Sequence, residues 1–267
     1  MEKMKKYKGA VFFDVDGTLI DERLGVSVPT ESTKKAISLL KENGYLTCVA
    51  TGRAKCYLCD LQTDFDCYIT CNGAVGEIDG QVLFADRMDM AKQIELCRYL
   101  SEKSFWFLLE TRERCYYSEN NQEDFMRFMR EGKLSTEHFY VLEDVGAISA
   151  CKAMIGFKSA EEYKELCERF KDDFLITQHH TDPEADISIA GVTKASGILR
   201  LVDLLGIDIK NTYAFGDGAN DVQMLSSVGC GIAMTPHASE LDGIAKMTAG
   251  GVADGGIYNA LRELKLI

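Results

Sequence analysis

The sequence predicts an α/β protein in which a parallel-sheet core is split by a separate α+β domain. Three observations carry that expectation. Near both ends of the chain, short apolar runs alternate with segments of helical period, as strands buried on both faces alternate with crossover helices. Between about 84 and 185 the rhythm changes to clustered strands and helices, which marks a second architecture. Several of the outer apolar runs also break directly into acidic or Thr-Gly turns, and in open parallel sheets ligands gather at those strand ends.

The elements follow in order. Residues 10–13 are apolar throughout and form a first strand. A helix follows over 30–43, with Thr30 as N-cap, Glu31 in its first turn, Ala36, Ile37, Leu39 and Leu40 on one face and Gly44 as its stop. Strand 46–50 runs into Thr51-Gly52-Arg53, and a third strand covers 68–71. Asn72-Gly73 and Asp79-Gly80 then punctuate short alternating segments as hairpin turns do. In the second domain, helices are expected over 89–101, 122–130 and 160–171, and strands over 105–110, 115–118, 153–158 and 174–178. Tyr163, Leu166, Cys167 and Phe170 give the last of these helices a single apolar face. The core resumes with a strand over 186–190, a helix over 193–205, a strand over 212–215 and a helix over 222–228. A strand over 231–234 and a helix over 257–264 complete it. The expected division is a core of 1–83 and 186–267 with an inserted domain of 84–185.

A chain of 267 residues, 46% hydrophobic, can bury a substantial core. Forty-two acidic against thirty basic residues give a formal charge of -12, which disfavours nucleic acid and anionic membrane surfaces as partners. No run approaches the ~20 apolar residues of a membrane span. The lysine-rich start lacks a secretory signal core, so the ten cysteines are read as reduced thiols of a soluble, cytoplasmic protein.

Four candidate groups fall at strand ends or helix starts of the core: Asp14 with Asp16, Thr51, Lys194, and Asp217 with Asn220 and Asp221. Clustered carboxylates repel one another and are costly to bury unpaired, and a hard cation between them relieves both penalties. Oxygen donors without a nearby histidine point to Mg2+, which keeps coordination positions for a substrate phosphate. A carboxylate attacking a phosphate dianion at ~4 Å faces roughly 8 kcal/mol of repulsion at an effective dielectric of ~20. Lys194, after the turn that opens its helix, supplies fixed positive charge against it, and Thr51 with the Gly52 N–H can hold a phosphate oxygen. Asp14 is placed as nucleophile, and Asp16, past the turn, as general acid and then base.

These residues resemble the haloacid dehalogenase (HAD) superfamily, specifically its Cof-type phosphatases with a subclass IIB cap set into a Rossmann-like core. The resemblance rests on Asp14-Val15-Asp16-Gly17-Thr18, Ala50-Thr51-Gly52-Arg53, Asn72-Gly73-Ala74, Lys194, Gly216-Asp217-Gly218-Ala219-Asn220-Asp221 and the glycine-rich 250–257 segment. It implies Mg2+ held by the Asp14 carboxylate, the Asp16 carbonyl and Asp217, with Asp221 in support. It also implies that Val15 N–H, Thr51, Gly52, Lys194 and Asn220 surround the phosphate of a small phosphorylated metabolite. Met234-Thr235-Pro236-His237-Ala238 departs from the Met-Gly-Asn-Ala common in such enzymes, and Lys194 is followed by Ala195-Ser196-Gly197 rather than directly by glycine.

The expected activity is magnesium-dependent phosphatase chemistry through an aspartyl-phosphate. A sugar phosphomutase of the same superfamily is the alternative within the class. A noncatalytic phosphate-responsive binding module is the alternative outside it, though such modules are shorter and leave Asp16 without a task. Cys56, Cys59, Cys67 and Cys71 faintly resemble a four-thiolate zinc spacing but are read as buried thiols, since the segment lacks the glycine-rich knuckle of such sites. One of His179 and His180 is a candidate to face the substrate, and Arg53 is read as structural.

Overall fold

A computed structural model of the chain describes residues 6–120, 122–131, 134–179 and 183–267. The described chain divides into two compact units. The first comprises Met1–Gly52, Cys59–Leu83 and Thr193–Ile267; the second comprises Arg53–Leu58 and Phe84–Val192.

The first unit is built on an eight-stranded sheet. Its strands are β1 (Gly9–Phe13), β2 (Tyr45–Ala50), β3 (Cys67–Thr70), β4 (Val75–Ile78) and β5 (Gln81–Ala85), with β12 (Thr212–Gly216), β13 (Cys230–Ala233) and β14 (Met247–Thr248) added later in the chain. Their spatial order is β14-β13-β12-β1-β2-β3-β4-β5. The strands from β14 to β3 pair in parallel, and β4 returns antiparallel to β3. Every residue of β1 is buried, as expected of a central strand covered on both faces. From β1 the chain winds outward through β2 and β3, and later from β12 through β13 and β14 in the opposite direction. The sheet therefore has its topological switch point between β1 and β12, where the carboxyl ends of two adjacent strands open a crevice.

Two helices of this unit begin on side-chain caps. Helix α1 (Glu31–Glu42) starts on the Thr30 side chain, which accepts from the Thr33 N–H. Helix α5 (Lys194–Leu205) begins with a capping box between Thr193 and Ser196 and stops at left-handed Gly206. Helix α6 (Val222–Ser227) buries Met224 and Leu225, and helix α7 (Gly256–Glu263) buries Ile257, Ala260 and Leu261.

The second unit carries a six-stranded sheet of order β10-β11-β9-β6-β7-β8, made of β6 (Trp106–Glu110), β7 (Cys115–Tyr117), β8 (Phe139–Val141), β9 (Lys152–Gly156), β10 (Phe174–Gln178) and β11 (Glu184–Ile189). Phe107, Leu109, Ala153, Ile155 and Ile187 on one face join a core with Leu96, Leu100, Leu166 and Phe170 from α2 (Met90–Glu102) and α4 (Ala160–Phe170). Trp106, Leu108 and Met154 on the other face pack with Phe125 and Met129 of α3 (Gln122–Glu131).

The strand expected over 186–190 as part of the parallel core is a correction. It is β11, which pairs antiparallel with both β9 and β10 inside the second sheet. The physical sign was its alternation: Ala185 and Ile187 are buried among apolar groups while Asp186 and Ser188 take the opposite face, a period of two that β1 lacks. The second unit accordingly extends to Val192, beyond the expected 185.

Candidate active site

Strand register assembles the site. Phe13 stands opposite Val49 on β2 and opposite Phe215 on β12. The residues that follow, Asp14, Thr51 and Asp217, thus leave neighbouring strands at one edge of the sheet. The Asp14 N–H continues the ladder by donating to Phe215 O at 3.0 Å.

Asp14, Asp217 and Asp221 each offer a carboxylate oxygen, and these oxygens lie within 4.8 Å of one another. Lys194 Nζ is 2.9 Å from Asp14 Oδ1 and donates to Asp221 Oδ1 at 2.9 Å. Asp14 is 5%, Lys194 3% and Asp221 0% exposed, so these charges interact with little solvent screening. The other Asp221 oxygen accepts from the Asp217 and Gly218 N–H groups, each at 3.0 Å, and so shapes the turn that carries Asp217. Thr18, fully buried, donates from Oγ1 to Asp217 Oδ1 at 3.1 Å.

One ammonium among three carboxylates leaves excess negative charge. Burial, then the Asp221 charge, push Asp14 well above the usual carboxylate range against the pull of Lys194. Burial and Asp221 likewise push Asp217 up to about 7. Burial alone would lower Lys194, but Asp14 and Asp221 outweigh it and hold the ammonium above its ordinary value. An oxygen-only donor set with surplus negative charge fits a hard divalent cation.

The first turn is tight because Gly17 adopts φ +75°, and the Val15 carbonyl accepts from Leu19 and Ile20 at 2.9 and 3.0 Å. Val15 is fully buried, whereas Asp16 is exposed. Thr51, 1% exposed, donates its N–H to Ile69 O at 2.9 Å and accepts from Asn72 N–H at 3.1 Å, with Gly52 half-buried beside it. Asn220 is exposed in the turn before Asp221. Lys194 is placed by a close approach: Gly73 has φ +97°, and a Cβ there would lie 2.0 Å from Thr193 O, immediately before the lysine.

Two contributors carried no role in the sequence reading. Thr18 lies within the first motif, and its position four residues after Asp14 was the available signal. His237 lies in the atypical Met234–Ala238 loop: its Nδ1 donates to Met234 O at 2.8 Å and its Nε2 is 3.2 Å from Asp242 Oδ1. That loop in turn supports the site, since the Ala238 N–H donates to the Asp217 carbonyl at 2.8 Å.

Other candidates fall elsewhere. His179 directly follows β10, near Glu184 and Asp186, and His180 lies outside the described residues. Cys67 and Cys71 are buried in the first unit while Cys56 belongs to the second; the Cys59 side chain lies outside the described residues.

A sequence profile of haloacid dehalogenase-like hydrolases matches residues 11–261. The chain belongs to this family. Within it, the chain is an enzyme of the Cof-type phosphatase group. A Bacillus subtilis protein named "Putative phosphatase YkrA" is 28% identical, over 96% of this chain and 98% of its own. A crystal structure of a Geobacillus kaustophilus protein described as hypothetical is 30% identical, with TM-score 0.84 over 97% of this chain and 100% of that one. The structure of a HAD subclass IIB sugar phosphatase shares the fold at 23% identity, with TM-score 0.85 over 97% of this chain and 100% of its own. Among the described residues no helix is long and apolar enough to cross a membrane.

Proposed function

We propose that this protein is a magnesium-dependent phosphatase that hydrolyses a small phosphorylated metabolite, a sugar phosphate or similar ester, through an aspartyl-phosphate on Asp14. The observation that carries the reading is the group of buried Asp14, Asp221 and Lys194 with half-buried Asp217 at the switch point of the sheet. Asp14, the Asp16 carbonyl and Asp217 would hold Mg2+, supported by Asp221, and the ion would supply positive charge against the incoming phosphate.

The chain's own groups do the rest. Asp14 attacks phosphorus along the direction fixed by its strand and by Lys194. Asp16, exposed beyond the turn, protonates the departing ester oxygen and then takes a proton from the water that hydrolyses the acyl phosphate. Val15 N–H, Thr51, Gly52, Lys194 and Asn220 bind the phosphate oxygens. The second unit acts as a cap that selects the leaving group.

The test is turnover of p-nitrophenyl phosphate with and without Mg2+. Asp14→Asn should lower kcat by at least ~10³-fold while leaving circular dichroism and the melting profile of a folded protein. Retained turnover in that variant ends the proposal. Release of inorganic phosphate from sugar phosphates, with no bisphosphate required, separates hydrolysis from mutase chemistry.

A further inference from the structure

The cysteines supply an observation that the phosphatase reading does not use. Cys56 Sγ lies 3.4 Å from Cys115 Sγ within the second unit, although 59 positions separate them in sequence. Cys115 opens β7 and is fully buried, whereas Cys56 is partly exposed. Cys56 sits in Arg53–Leu58, the short stretch that packs with the second unit although Gly52 before it and Cys59 after it belong to the first.

We propose that Cys56 and Cys115 are an oxidisable pair, a modification site that reacts with a peroxide and becomes a reversible disulfide. The sulfurs need to close by only about 1.4 Å to reach bonding distance. Accessibility orders the steps. The Cys56 thiolate attacks one oxygen of hydrogen peroxide and becomes a sulfenic acid as the other oxygen leaves and is protonated to water. The Cys115 sulfur then attacks Cys56 Sγ, the S–S bond forms and the S–O bond breaks, and the second oxygen departs as water. Two thiols lose two electrons and two protons, and the peroxide is reduced to two waters.

The bond would fasten residues 53–58 to β7. Because residues 53–58 continue directly from Thr51 and Gly52, oxidation takes conformational freedom from the stretch adjoining the proposed phosphate turn. A conformational step that needs that freedom is slowed. This functional consequence rests on the phosphatase reading; the cross-link itself does not.

Trypsin offers a direct readout, because Lys55 and Arg114 precede the two cysteines and release peptides 56–87 and 115–127. After treatment of the purified chain with hydrogen peroxide, non-reducing mass spectrometry should show these two peptides joined. The species should persist in Cys59→Ser and vanish in Cys56→Ser. Cys115→Ala serves as a second check, judged only if its melting profile matches that of the reduced protein. Turnover of p-nitrophenyl phosphate should fall roughly fivefold or more on oxidation and return with a thiol reductant, while Cys56→Ser keeps the reduced protein's rate and resists the oxidant. Absence of the joined peptide or its persistence in Cys56→Ser overturns the proposal, and unchanged turnover of the cross-linked protein overturns its functional consequence. If the reduced protein shows no turnover at all, the phosphatase reading fails, and the joined peptide still decides whether the pair forms.

Discussion

A Cβ at position 17 would lie 2.0 Å from Asp217 Oδ2, and the residue's φ of +75° already disfavours any side chain. Gly17→Ala therefore pushes on a proposed metal ligand from the neighbouring strand end, besides adding about 1 kcal/mol of backbone strain. We expect the Mg2+ concentration for half-maximal turnover to rise roughly tenfold, measured by titration at saturating ester. Lys194 is the counterpart in charge. Replacing it with Met leaves Asp14 and Asp221 facing each other in a buried site, which costs about 3 kcal/mol. Urea unfolding without divalent ions should show that loss, and it should shrink on acidification because Asp14 already lies above the usual carboxylate range. These residues were readable in the sequence because each motif is local. Thr18 and His237 were not assigned, because their partners, Asp217 and the Met234 carbonyl with Asp242, are set by the folded loops.

Strand β11 shows where local pattern and topology diverge. Its Asp186 meets Lys152 Nζ of β9 at 2.6 Å, and Lys152 is 3.3 Å from Glu110 Oε2 of β6, so the middle of the second sheet holds a buried ionic row. His179, directly after β10, joins it, with Nε2 3.4 Å from Asp186 Oδ1 and Nδ1 3.7 Å from Glu184 Oε2. Burial works against the charged imidazole, but Asp186 and Glu184 outweigh it and push His179 up to about 9. A group raised in the folded state stabilises in its protonated form. Its contribution is complete below about pH 6.5 and disappears as the pH rises through about 9. The urea midpoints of the protein and of His179→Gln should therefore differ most at about pH 6 and converge by about pH 9.5. The helices were legible from their caps and apolar stripes. Strands β8 and β14 were not, since they span three and two residues and draw their pairing from neighbours rather than from a sequence period.

At the scale of the molecule, all three clustered carboxylates belong to the first unit, and the second has its own apolar cores. Two units, each with its own packing, predict two components in a calorimetric endotherm rather than one transition. A ligand that binds one folded unit raises the midpoint of that unit in proportion to RT ln(1 + [L]/Kd). Millimolar Mg2+ should accordingly raise one component and leave the other in place, and Asp217→Asn should abolish the rise. The alternation of strands and helices made the first unit's architecture legible from sequence. Assignment of residues 53–58 to the second unit was not, because a six-residue excursion has no periodicity of its own.

The placement of β1 between β2 and β12 has a consequence for biosynthesis. β1 leaves the ribosome well before β12, the neighbour that closes its second edge, which comes about 200 residues later: 199 positions separate Thr18 from its partner Asp217. At ~5–20 residues per second, that apolar edge waits roughly 10–40 s during translation before β12 emerges. A nascent chain halted before residue 212 lacks Asp217 and Asp221, so the carboxylate cluster cannot form and one edge of β1 has no partner strand.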